Sequence, residues 1–211
     1  MFLHGYSGLP DQPFGPTAMA DDAAMVLDAL DVDREVTVIG GSMGGFTAAV
    51  LASRRPDLVA ALVLEEPSPG TRAPIPSEPK MSRPDWLTTL KALDTTRRIE
   101  WATRRHPTWP ADELLPWAEA IGQIDLRIHD LPWEAPLWLP DVMRTVSCQT
   151  TFLLGDPAHG SLLDTATESA CVCSAGTGAT VVRIKRVGHG VHRESRDECL
   201  RLITRTIDLH G

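Results

Sequence analysis

Val36-Thr37-Val38-Ile39-Gly40-Gly41-Ser42-Met43-Gly44-Gly45-Phe46-Thr47-Ala48-Ala49-Val50-Leu51-Ala52 is the stretch that decides the fold. Its first four residues form a short apolar run that reads as a buried strand. Its last seven read as a helix. A Gly-x-Ser-x-Gly turn between strand and helix puts the serine on a sharp, strained corner at the end of a sheet. Gly40 and Gly44 are expected to let strand and helix approach closely beneath it. The corner lifts Ser42 Oγ clear of the sheet edge. The N–H of Met43, at the helix start, points to where an oxyanion would form. The competing reading is a plain glycine-rich turn. The strand before and the helix after favour a nucleophile.

Working outward, the same alternation continues. Residues 4–16 hold Gly5, Gly8, Pro10, Pro13, Gly15 and Pro16 and read as loop. Met19, Ala23, Val26, Leu27 and Leu30 then recur at helical spacing, which predicts an amphipathic helix over 18–30 with Asp21 and Asp22 in its first turns. Leu58–Leu64 is a second continuous apolar run and a second buried strand. Further strands are expected at 151–154 and 180–184, and helices at 161–174 and 194–208. The β-α-β order with near-continuous apolar strands implies an α/β fold, a parallel sheet with helices on both faces.

Residues 67–147 differ. They carry all six tryptophans and most of the 17 prolines. Short helices are expected near 84–93, 95–105, 111–121 and 134–145. This composition reads as a helical cap inserted into a core made of 1–66 and 148–211. Most of the tryptophans read as cap core, with one or two lining an apolar pocket over the serine.

The 211 residues suffice for one sizeable core, and the net charge of −8 suits a protein that does not bind nucleic acid. Arg97, Arg98, Arg104 and Arg105 form the densest basic group. With Asp94, Glu100 and Glu113 nearby they read as a solvated helix face. No apolar run reaches membrane-spanning length, and Met1-Phe2-Leu3-His4-Gly5 lacks the basic and apolar regions of a signal peptide. Cys148, Cys171, Cys173 and Cys199 have no zinc spacing, so no metal site is expected. Reduced thiols point to a cytoplasmic location.

A serine needs a base to take its proton and a carboxylate to orient that base. His189 follows the last strand in a Gly-His-Gly turn that lets the imidazole project. His192 and His159 are weaker rivals. Two acids compete, both at strand ends. Asp156 follows the strand at 151–154 in Gly-Asp-Pro, and Glu66 follows the strand at 58–64 in Glu-Glu-Pro. Either could hold the far nitrogen of the imidazole; each also has a bland role, as turn residue or solvent-facing carboxylate.

Gly-Gly-Ser-Met-Gly-Gly at 40–45, Leu-Glu-Glu-Pro at 64–67, Leu-Leu-Gly-Asp-Pro at 153–157 and Val-Gly-His-Gly-Val-His-Arg-Glu at 187–194 together resemble the α/β-hydrolase superfamily across essentially the whole chain. The resemblance implies a Ser–acid–His triad, a cap over the site, and hydrolysis without a cofactor. Serine as nucleophile implies the esterase, lactonase, thioesterase or carbon–carbon hydrolase branches. The family's later-strand acid would fall at Ala158. Asp156 is preferred slightly for its Asp-Pro turn, and Glu66, 24 positions after Ser42, stands nearly level with it.

The resemblance also implies that residues 3–30 correspond to a segment after the family's His-Gly oxyanion loop. The first four strands and that loop would then be missing, and strand 36–40 would have an open, apolar edge. One oxyanion donor is worth roughly 10²–10³ in rate. The expected function is therefore hydrolysis of a small, mostly apolar ester or lactone. The alternatives are a truncated chain of weak activity that binds a ligand, a partner or a second copy through its open edge, and a perhydrolase using the same triad.

Overall fold

Each of the four apolar runs becomes a strand, and all four pair in parallel in the order β1-β2-β3-β4. The strands are β1 (Val36–Gly41), β2 (Val59–Glu65), β3 (Gln149–Leu154) and β4 (Ala179–Arg183). The computed structural model describes residues 4–10, 13–32, 36–72 and 85–210. Leu3 and the expected helix start at 84 lie outside these residues, as does the part of the expected cap at 73–84.

The helices follow the sequence periodicity with shifted ends. They are α1 (Pro16–Ala29), α2 (Met43–Arg54), α3 (Asp85–Lys91), α4 (Thr95–Arg105), α5 (Ala111–Gln123), α6 (Leu139–Met143), α7 (Thr165–Ala175), α8 (Val191–Glu194) and α9 (Arg196–His210). Pro16 opens α1 because proline needs no N–H partner at a helix start. That earlier start leaves Asp21 beyond the first turn, where it pairs with Arg54 at 3.0 Å. Asp164 starts α7 by accepting the Thr167 N–H. The helix expected over 134–145 shrinks to α6, with Trp138 before it bridged to Gly70.

Alternation along β2 divides the core in two. Leu62 and Leu64 face Phe46, Ala49, Leu139, Met143 and Phe152 in one cluster. Val63 faces Leu153, Ile184, Val191 and Cys199 in another, under α8 and α9. Helices therefore cover both faces, as continuous apolar strands require. β1 departs from its expected burial. Val36 to Val38 are half-buried and Ile39 is 45% exposed. The reason is position: β2 lies on one side of β1, and no strand of the described residues lies on the other.

The chain divides into two units, Met1–Phe14 with Ile75–Glu134, and Gly15–Pro74 with Ala135–Gly211. The partition differs from the expected 67–147 cap at both ends. Phe14 donates its N–H to Pro132 O at 2.7 Å and sets its ring edge-on to Trp133, which ties the N-terminal segment to the helical unit. Leu139 and Met143 have no exposed surface and belong to the sheet's core.

The helical unit has its own core of Leu87, Leu90 and Ile121, flanked by stacked Trp101 and Trp117. Arg98 is buried here rather than solvated. Its guanidinium donates to Leu90 O at 2.8 Å, Lys91 O at 3.0 Å and Ala118 O at 3.2 Å. The end of α3 leaves carbonyls without helical partners, and the fork of an arginine suits them.

Candidate active site

Parallel strands in register bring their C-terminal ends to one edge. Gly41 pairs with Glu65, Glu65 with Leu153, and Leu154 with Arg183. The residues that follow these ends are Ser42, Glu66, Asp156 and the turn holding His189. An open parallel sheet gathers its chemistry at this edge.

Ser42 lies between β1 and α2 with φ +53° and ψ −119°, in the left-handed half of backbone space. Such a residue carries about 1–3 kcal/mol of strain and persists only when its neighbours over-determine it. They do so here. Ser42 N–H donates to Glu65 O at 2.9 Å, and Ser42 O accepts from Gly45, Phe46 and Ser68 N–H at 3.1, 3.2 and 2.9 Å. Two of these bonds tie the corner to the end of β2. Met43 opens α2, so its N–H belongs to the first turn, where amides lack a carbonyl of their own helix.

The glycine roles shift from those expected. A Cβ on Gly40 would overlap the Gly44 carbonyl, and one on Gly45 would lie 2.9 Å from Gly40 O and 3.0 Å from Pro67 Cβ. A Cβ on Gly44 would meet nothing within 4 Å. Close approach therefore rests on Gly40 and Gly45. The contact on Gly44 is to its backbone, which any residue would present.

Glu66 has no exposed surface and φ +42°. Its Oε1 accepts Gly155 N–H at 2.7 Å and Ser161 Oγ–H at 2.7 Å. Its Oε2 accepts Leu162 N–H at 2.5 Å and stands 3.6 Å from His189 Nδ1. Burial raises its pKa, but the His189 imidazole and these three donors outweigh burial and hold the carboxyl below its ordinary value. A separation of 3.6 Å is longer than a hydrogen bond.

The slight preference for Asp156 gives way on this geometry. Asp156 is the turn residue of its bland reading. Its Oδ1 accepts Ala158 N–H at 2.9 Å, its Oδ2 accepts Arg186 N–H at 3.3 Å, and Oδ2 is 3.4 Å from His159 Nδ1. The Ala158 and Arg186 amides hold its pKa down. Its backbone still serves the site: Asp156 N–H donates to Val187 O at 2.7 Å, two residues before His189.

Two residues escaped the sequence reading, Glu194 and Glu65. Glu194 accepts the N–H of Gly188 at 3.0 Å and of Gly190 at 3.3 Å, clamping the turn on either side of His189. Glu65 accepts His192 N–H at 2.9 Å and meets His192 Nδ1 at 2.7 Å. The doubled signal was present: two consecutive carboxylates at a strand end, and two histidines three residues apart. Successive strand residues face opposite ways, so neighbouring glutamates can serve separate partners.

Among the described residues no group of three His, Cys, Asp or Glu side chains is placed to hold a metal ion. No helix among them is long and apolar enough to cross a membrane. The cysteines are free, and burial pushes the Cys171 and Cys199 thiols up to about 12, with the charges of Glu168 and Glu65 adding to it.

Residues 4–126 match the model of a family described as having the alpha/beta hydrolase fold. Homoserine O-acetyltransferase of Geobacter metallireducens is 29% identical over an alignment of 122 residues that covers 53% of this chain and 27% of that enzyme. The match thus spans about a quarter of that relative's length. Among solved structures, E-2-(acetamidomethylene)succinate hydrolase superposes with a TM-score of 0.71 over 98% of this chain and 78% of that one, at 21% identity. The esterase RhEst1 from Rhodococcus sp. ECU1013 gives 0.69 over 100% of this chain and 79% of that one, at 17% identity.

Proposed function

The chain belongs to the α/β-hydrolase fold family, and from that premise we propose that it is a serine hydrolase of small, mostly apolar esters or lactones. The observation that carries the reading is Ser42 held at φ +53° on the strand–helix corner, with the Glu66–His189 pair at the same end of the sheet.

In the proposed reaction Ser42 Oγ attacks the acyl carbonyl carbon while His189 Nε2 takes its proton. Glu66 accepts from His189 Nδ1–H, which fixes the tautomer with Nε2 free and stabilises the imidazolium that forms. The carbonyl oxygen becomes an oxyanion facing the Met43 N–H. His189 returns the proton to the leaving alkoxide. Water, deprotonated by the same imidazole, then attacks the acyl carbon; the Ser42 Oγ–acyl bond breaks, His189 returns the proton to Ser42 Oγ, and the acid leaves. Structural similarity to a hydrolase and an esterase supports this class.

Ser42→Ala should abolish turnover of a p-nitrophenyl ester. A fluorophosphonate should add one phosphonyl group at Ser42 of the parent, read by mass spectrometry, and none to the variant. A parent chain that neither turns over esters nor reacts with the phosphonate would favour the second reading, a ligand- or partner-binding chain, for which the observation is the side of β1 that no strand of the described residues covers.

A further inference from the structure

Two histidine–carboxylate pairs stand at the end of β2, and the proposed reaction uses only one. We infer that the other, Glu65 with His192, is a positioning pair that fixes the base-bearing turn to the nucleophile corner; the inference rests on the reading of Ser42 and His189 above.

Glu65 touches both turns at once. Its carbonyl accepts Ser42 N–H at 2.9 Å, so its backbone holds the strained corner. Its carboxylate accepts His192 N–H at 2.9 Å through Oε1, and His192 Nδ1 lies 2.7 and 2.9 Å from its two oxygens. A Cβ on Gly41, next to the serine, would lie 3.6 Å from the same carboxylate. His192 stands three residues beyond His189. One residue therefore spans from the nucleophile's own amide to the segment carrying the base.

The pair is built to hold position. Glu65 is 6% exposed, so water competes little for its hydrogen bonds. A carboxylate oxygen only accepts, so the contact at His192 Nδ1 selects the ring form that carries a hydrogen on that nitrogen. Glu194 clamps the peptide units around His189 but touches neither Ser42 nor β2 in the contacts above; Glu65 supplies the connection between corner and turn. Misplacing a reacting group by about 1 Å costs on the order of 10²-fold in rate. A pair that only anchored the fold would change stability and leave rate alone.

His192 is the safer place to test, because its side chain is 42% exposed. His192→Ala should lower kcat on a p-nitrophenyl ester by about 10–100-fold with KM within about twofold, since the loss falls on geometry and not on substrate binding. Fluorophosphonate labelling of Ser42 should slow by the same factor. His192→Asn should restore most of the rate, because its amide N–H can reach the carboxylate from a similar position. Glu65→Ala with His192→Ala should be no slower than His192→Ala alone.

His192→Ala labelled and turning over at the parental rate would overturn the inference. So would His192→Asn as inactive as Ser42→Ala, which would make His192 the base. A parent chain not labelled at Ser42 removes the underlying reading, and this inference with it; that outcome is recognised before any variant is made.

Discussion

Glu66 carries four contacts on two oxygens, and a glutamine there can supply only one acceptor. With its oxygen kept on Gly155 and Ser161, its amide group would face the Leu162 N–H, donor against donor. Leaving such a group unpaired in the interior costs about 1–3 kcal/mol. The amide would also favour the wrong imidazole tautomer, so Glu66→Gln should lower kcat/KM by about 10²–10⁴-fold while Asp156→Asn stays within about threefold. Ester hydrolysis by the two variants, measured side by side, checks this; equal losses would restore Asp156 as a candidate. Gly40→Ala should destabilise by about 2–4 kcal/mol in urea unfolding, because its Cβ has no space against Gly44 backbone, whereas Gly44→Ala should be neutral or slightly stabilising.

Elements show how one residue type takes different roles by position. Arg98 lies on α4 among arginines that sequence alone assigns to water, yet the fold turns it inward to three carbonyls. Bonds from a charged donor contribute about 1.5–3 kcal/mol each at most, so Arg98→Met should cost about 2–4 kcal/mol, and Arg97→Met, on an exposed side chain, under about 0.5 kcal/mol. Thermal unfolding of both variants is the measurement. On α7, Cys173 is exposed while Cys171 is fully buried, two residues away on the same helix. A thiol-specific disulfide reagent should therefore modify Cys173 quickly in the native protein. Cys171 and Cys199, with thiols pushed up to about 12, should react only on unfolding.

The whole molecule carries a net charge of −8, and several of its carboxylates have lowered pKa values. Asp164, through the Thr167 N–H, and Asp156, through the Ala158 N–H, join Glu66 in this. A carboxyl held below its ordinary value contributes stability that is fully present above that value. The contribution is lost as pH falls through the folded value. Stability should thus be level from neutrality to about pH 5 and fall below the ordinary Glu66 value of 4.5. Urea unfolding across pH 7 to 3.5 reads this directly. The gap between parent and Glu66→Gln should be widest at pH 7 and close as Glu66 protonates.

Much of this was legible in the sequence. Four apolar runs of strand length, each followed by a helical period, determine a parallel α/β sheet, because local propensity and burial pattern agree in every segment. Gly-x-Ser-x-Gly determines the corner, because only glycine permits the backbone approach at Gly40. What sequence left level was the choice between Glu66 and Asp156, which have the same chemistry in similar strand-end turns. Tertiary structure separates them. The strand order and register carry the His189 turn to Glu66, whose burial is offset by three donors from Gly155, Ser161 and Leu162, while Asp156 is occupied by its own turn. Those donors lie some 90 residues from Glu66 along the chain. No local pattern encodes a contact of that separation, so only the folded sheet could decide which carboxylate meets the histidine.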